Sequence, residues 1–162
     1  MDTSCCVLGI GSPFGDDRLG WVAAEMLRGR DGGHAVRIDT LDRPGAALIE
    51  AWRDERVVIL IDAVRSGAPP GTVHRIGIEG LTAGGAALSS HALGVAGAVT
   101  LARALAALPA ELSFYGIEAD PNWDGEDLSP PVRAALPALI EEIAELTRGT
   151  VQATPSTRGA SK

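Results

Sequence analysis

Cys5-Cys6-Val7-Leu8-Gly9-Ile10-Gly11-Ser12-Pro13-Phe14-Gly15-Asp16-Asp17-Arg18-Leu19-Gly20 decides the reading of this chain. A short apolar run passes through a glycine-rich turn into a segment where Leu19, Val22, Ala23, Met26 and Leu27 recur at helical spacing. That is a strand, a tight turn and an amphipathic helix, the opening unit of an α/β sheet. Glycine turns at helix N-termini commonly hold anions, because free amides and the helix dipole present partial positive charge there. Here Asp16 and Asp17 put fixed negative charge in that place. A pyrophosphate would be repelled, so the corner suits a cation or acid and base chemistry.

The same alternation continues along the chain. Strands are expected at 5–10, 35–39, 56–62, 72–78 and 111–117. The first helix begins near Asp17 and ends before Asp31-Gly32-Gly33, the second starts near Pro44, the third follows His91, and the fourth runs from about Pro130 to Arg148. The fold class is therefore α/β: a twisted, largely parallel five-stranded sheet flanked by helices on both faces. In the last helix Ser129 is the expected N-cap and Pro130 lies in the first turn. Val132, Leu136, Leu139, Ile140, Ile143 and Leu146 form its expected buried stripe, with Pro137 inside the stripe as a kink. Residues 80–90 read as a mobile loop of small residues that delivers His91 to the third helix. One domain covers 1–148, with Gly149 as the helix C-cap and 149–162 as a disordered tail.

Composition narrows the function. The chain has 162 residues, 46% hydrophobic and 22% charged, enough for one domain with a sizeable core. A formal charge of -7 disfavours nucleic acid as a partner, since phosphate binding draws on clustered Lys and Arg. The two cysteines, Cys5 and Cys6, are adjacent in a strand and point to opposite faces, so they cannot staple distant elements. A reducing cytoplasm is the expected setting. Met1-Asp2-Thr3-Ser4 offers no positive n-region, and the apolar run after it is too short for a signal segment or a span.

In an open α/β sheet, ligands bind beyond the carboxyl ends of the strands, where the strand order reverses. Four polar residues are expected at that edge. Asp17 follows the first strand, Asp42 the second, Asp62 closes the apolar run Val57-Val58-Ile59-Leu60-Ile61, and His91 enters the third helix. Each has a plainer reading: one of the Asp16-Asp17 pair caps a helix, Asp42-Arg43-Pro44-Gly45 is a good turn, Asp62 starts a turn, and His91 bonds to Ser89 or Ser90. The doublet implies a division of labour, with Asp16 capping or orienting and Asp17 reaching the site. His34 and His74 read as structural or solvated. There is no His-Glu-x-x-His pair, Gly-x-Ser-x-Gly elbow or Cys-x-x-Cys. Two carboxylates and one imidazole instead make a cation-binding set.

Taken in order, these motifs resemble the hydrogenase maturation proteases, endopeptidases that remove a C-terminal extension from the nickel-loaded large subunit of [NiFe] hydrogenase. The resemblance spans residues 5–148. It rests on Gly9-Ile10-Gly11 with Asp16-Asp17 and Gly20, on Asp62-Ala63, on Ser90-His91, and on Leu128-Ser129-Pro130-Pro131-Val132. It implies that Asp17, Asp62 and His91 contact the metal, with Asp42 as an auxiliary carboxylate. The nickel comes with the substrate, and zinc or cadmium can substitute in vitro. The implied partner is the large-subunit precursor, without membrane insertion. This chain departs from the family at Ser12, where Asn is usual, at Asp17, where Glu is frequent, and in a turn one residue shorter. A non-enzymatic metal-binding assembly factor and a Rossmann-type nucleotide binder are the alternatives.

Overall fold

β1 (Cys5–Gly11) and β3 (Val57–Val64) are buried along their whole lengths. Strands covered on both faces read as unbroken apolar runs and belong in the middle of a sheet. In the computed structural model, which describes residues 4–30, 36–82 and 90–152 and only the backbone of 82, 90–93 and 152, they pair directly with each other. β2 (Val36–Asp42), β4 (Val73–Gly77) and β5 (Glu111–Glu118) complete a five-stranded sheet of order β2-β1-β3-β5-β4. All neighbours are parallel except β4, which runs antiparallel to β5 at one edge. The expected fold class and all five strands are present. β3 continues past Asp62 to Val64, so Asp62 lies inside the strand rather than at its end.

The helices follow the alternation with three corrections. A 3-10 turn (Gly15–Arg18) precedes α1 (Leu19–Arg30), and another (Gly45–Ala47) precedes α2 (Leu48–Ala51). α3 (Ile78–Thr82) is a short helix where the sequence reading placed the end of a strand and the start of a loop. It forms because Leu81 is drawn into the core, where it is almost wholly buried. Residues 83–89 of the expected mobile loop lie outside the described residues, as does His34. α4 (Ser90–Ala104) and α5 (Pro130–Gln152) are the third and fourth expected helices.

α5 runs past Arg148, so Gly149 is a helix residue and not a C-cap. The Thr147 and Thr150 hydroxyls there donate to the carbonyls of Ala144 and Leu146. Leu146 is exposed, and Ala144 and Thr147 occupy the buried stripe in its stead. Pro137 sits on the exposed side with Arg133, outside the stripe. The Arg133 carbonyl that a proline leaves without an intrahelical donor can bond to water there.

Alternation along the strands divides the core in two. Val7, Ile59, Ile61 and Ile117 pack against α1 and α5 on one face, while Leu8, Leu60, Val64 and Phe114 pack against α2 and α4 on the other. The seam between β1 and α1 is made by glycines. A β-carbon at Gly20 would run into the carbonyls of Ile10 and Ile61, and one at Gly9 into the carbonyl of Gly20. Helix and sheet therefore touch backbone to backbone.

Gly20→Ala is accordingly expected to lose about 2–3 kcal/mol in urea denaturation, because both opposing groups are backbone and cannot turn away. Gly97→Ala is the control. Gly97 is an exposed α4 residue with open space around its missing β-carbon, so the change should stabilise by roughly 0.5–1 kcal/mol.

Candidate active site

The sheet reverses its winding between β1 and β3. β1 leads through α1 on one face to β2, and β2 leads through α2 on the opposite face to β3. The connections thus leave in opposite directions, opening a crevice at the carboxyl ends of β1 and β3. Asp17 and Asp62 come from the segments that flank it.

The glycine turn after β1 is filled by its own backbone. The Ser12 amide donates to the Asp17 carbonyl at 3.0 Å, the Asp17 amide to Phe14 at 3.2 Å, and the Gly15 amide to Glu126 at 2.9 Å. A β-carbon at Gly11 would strike the carbonyl of Asp17. Three amides of the turn are thus bonded to main-chain carbonyls, and the space beside Gly11 is taken by the main chain that carries Asp17.

The two aspartates of the doublet differ in burial and in partners. Asp16 is 4% exposed and accepts three hydrogen bonds: from the Ser129 amide at 2.7 Å, the Ser129 hydroxyl at 2.8 Å and the Asp120 amide at 2.9 Å. Its charge sits at the N-terminus of α5, where the helix dipole favours an anion. Ser129, expected to cap α5 with its hydroxyl, gives that hydroxyl to Asp16 instead. Arg18 reaches the same loop through Asp127 at 2.8 Å. Asp17, by contrast, is partly open to solvent and meets the guanidinium of Arg65 at 3.2 Å.

Asp62 is fully buried and accepts from the Ala63 amide through Oδ1 at 2.7 Å. By alternation it shares the face of Leu60 and Val64, the side covered by α4. Across from it in register lies Gly116 of β5, where a β-carbon would collide with Val64 and press on Phe114. His91 is the second residue of α4, one turn ahead of buried Val95. Its side chain lies outside the described residues. Asp42 ends β2 beside Gly11, on the α1 face, and is exposed and paired with Arg43 at 2.6 Å. Asp42 and Asp62 thus lie on opposite faces of the sheet. Among the described residues, no group of three or more His, Cys, Asp or Glu side chains is gathered closely enough to hold a metal ion.

Two residues near this edge were not singled out from the sequence. Glu118 ends β5 and is 2% exposed; it accepts from the Ser66 amide and hydroxyl, both at 2.8 Å, from the Gly67 amide at 2.9 Å, and lies 3.0 Å from His74 Nε2. It pins the segment that follows β3, and Arg65 begins that segment. The signal was the one that drew attention to Asp62, a carboxylate closing an apolar run. His74 is structural, as expected. Cys5 and Cys6 are buried thiols in β1, not joined in a disulfide, and burial pushes the Cys6 thiol up to about 12. A buried thiol held protonated is a poor nucleophile, which removes Cys6 from the candidates.

Residues 43–146 match the sequence profile of the hydrogenase maturation proteases. The hydrogenase expression/formation protein HupD of Thiocapsa roseopersicina is 30% identical over 146 residues, covering 86% of this chain and 66% of that protein, a little under two thirds of its length. The hydrogenase maturating endopeptidase HybD from E. coli superposes with a TM-score of 0.74 at 22% identity, covering 91% of this chain and 93% of that one. The [NiFe] hydrogenase maturation protease HybD from Thermococcus kodakarensis gives a TM-score of 0.71 at 24% identity, over 89% and 99% of the two chains. Both structures share the fold. Among the described residues no helix is long and apolar enough to cross a membrane.

Two outcomes follow from this geometry. Asp16→Ala should destabilise the protein by about 3 kcal/mol, because it strips a charge-assisted acceptor from buried donors. Asp17→Ala should stay within about 1 kcal/mol, since its ion pair is solvent-exposed; paired urea melts compare the two. Iodoacetamide at pH 8 should label Cys5 and Cys6 only at the rate of unfolding, read by intact mass with and without urea.

Proposed function

Because the chain belongs to the hydrogenase maturation protease family, we propose that it is an endopeptidase removing the C-terminal extension from a nickel-loaded [NiFe] hydrogenase large-subunit precursor. One observation carries the reading: the fold sets a partly open carboxylate, Asp17, and a buried one, Asp62, on the two segments flanking the switch-point crevice. α4, which begins at Ser90-His91, covers the face that holds Asp62.

On this reading Asp17, Asp62 and His91 take up the nickel that the precursor already carries. Carboxylate oxygens and a neutral imidazole nitrogen suit that ion, and zinc or cadmium can replace it in vitro. The burial of Asp62 strengthens its attraction for a cation, since the local dielectric is low. Where the nickel serves only as a recognition mark, a carboxylate of the set accepts a proton from the attacking water once the scissile peptide has docked. Asp42, on the far side of β1, acts from the rim as an auxiliary carboxylate. The nickel supplies positive charge beside the scissile bond, as Lewis acid or as recognition mark. In both roles cleavage waits for metal insertion, a check on the state of the substrate. Two buried cysteines that form no disulfide fit a reducing cytoplasm.

A metal-binding assembly factor would use the same carboxylates without cutting. A nucleotide-binding reading is disfavoured by the turn after β1, where the amides of Ser12, Gly15 and Asp17 are already bonded to main-chain carbonyls and two aspartates bring negative charge.

Incubation with nickel-loaded and nickel-free precursor, followed by mass spectrometry of the precursor polypeptide, tests the proposal. Only the loaded form should be shortened at its C-terminal end. Stable binding without shortening would favour the assembly factor. Asp17→Ala, Asp62→Asn and His91→Ala should each lower cleavage at least ~100-fold with the fold retained by circular dichroism, the loss typical of removing a group that acts in the transition state. Asp42→Ala should be milder. Full cleavage by all three would remove these residues from the site.

A further inference from the structure

We propose that Arg65 is a stand-in cation for Asp17: its guanidinium holds the carboxylate in the free protein and keeps free divalent ions away until the metal of the substrate displaces it. The proposal rests on the reading of Asp17 as a ligand for that metal. Asp17 and Arg65 stand 48 positions apart in the sequence and come from two different strand ends, yet they meet at 3.2 Å across the crevice. The Asp17 side chain is 24% exposed and that of Arg65 48%. The contact lies at the mouth of the site rather than in the core.

The backbone around Arg65 is held more firmly than the ion pair itself. Ser66 and Gly67, the residues after it, are fastened to the buried carboxylate of Glu118 by three hydrogen bonds. On the other side, the Ser12 amide grips the carbonyl of Asp17. Both main chains are therefore fixed, and only the two side-chain tips need to part for Asp17 to turn to a new partner. Among the described residues, two more cations near Asp17 are engaged elsewhere: Arg43 is paired with Asp42 at 2.6 Å and Arg18 with Asp127 at 2.8 Å. They leave the contact with Asp17 to Arg65.

Magnitude makes the arrangement useful. A single solvent-exposed ion pair shifts a competing equilibrium by up to about fivefold. That is enough to weaken the binding of a free ion that has few ligands to gain. It is too little to resist a protein substrate that brings its metal together with a large contact surface. The pair also neutralises the carboxylate in the resting protein, so the crevice mouth does not gather stray cations.

Cadmium titration of the free protein, followed by amide NMR shifts into the millimolar range, tests this at low and high salt. Arg65→Ala and Arg65→Gln should bind cadmium about fivefold more tightly than wild type at low ionic strength, and the gap should close as salt screens the pair. Arg65→Lys, which keeps the charge, should retain most of the wild-type affinity. In an Asp17→Ala background, Arg65→Ala should change nothing. If Asp17→Ala weakens binding while Arg65→Ala leaves it equal to wild type or weaker, the stand-in role is overturned and the metal site stands. If Asp17→Ala leaves affinity unchanged, or no variant binds at millimolar cadmium, the reading of Asp17 as a ligand fails and the inference falls with it.

Discussion

Everything at the candidate site depends on how closely the main chain of the first turn approaches β1. Three glycines permit it. Gly9 and Gly11 on the strand and Gly20 on the helix have carbonyl groups where their β-carbons would stand. With side chains there, α1 would ride out from the sheet and Asp17 would move with it. The usual argument for glycines after a first strand is phosphate binding. Here the same residues serve main-chain packing, and the amides of Ser12, Gly15 and Asp17 close on main-chain carbonyls.

Buried carboxylates at this edge do different work according to what donates to them. Asp16 and Glu118 each receive three hydrogen bonds from amides and a hydroxyl, and Glu118 lies beside His74 as well. Such charge-assisted bonds compensate the desolvation of an anion, and each contributes about 1.5–3 kcal/mol. Both residues join segments far apart in sequence: Asp16 fastens the first turn to α5, and Glu118 fastens the end of β3 to β5. Asp17 and Arg65 stand next to these clamps with their side chains partly in water. Rigid neighbours around movable tips are what a site that must exchange partners requires.

The division of the sheet also explains why the polar residues are scattered along the chain. A doubly wound sheet brings successive strand ends to one edge, so each connection can supply one group. Asp17 comes from the first, Asp42 from the second, Asp62 from the third strand itself and Ser90-His91 from the start of α4. The chain, a member of the hydrogenase maturation proteases, has a fold that can bring such candidate residues to one edge without any contiguous motif.

Local periodicity carried much of this protein. The apolar runs of the strands and the stripe from Val132 to Ile143 were legible because burial selects apolar residues and imposes the helical period on a sequence. The tight turn was legible from its glycines, because a close approach of main chain leaves no room for a β-carbon. Other features depended on contacts across the chain. That α3 forms around Leu81, that α5 continues through Gly149, and that Leu146 faces water are matters of which surface each helix finds opposite. Only the folded chain shows that the Ser129 hydroxyl turns to Asp16, that Asp42 and Asp62 lie on opposite faces, and that Arg65 meets Asp17. Sequence by itself determined the elements, because their energetics are local. Tertiary structure decided the pairing of charges, because an ion pair or a buried hydrogen bond is set by distance in space and leaves no period in the sequence.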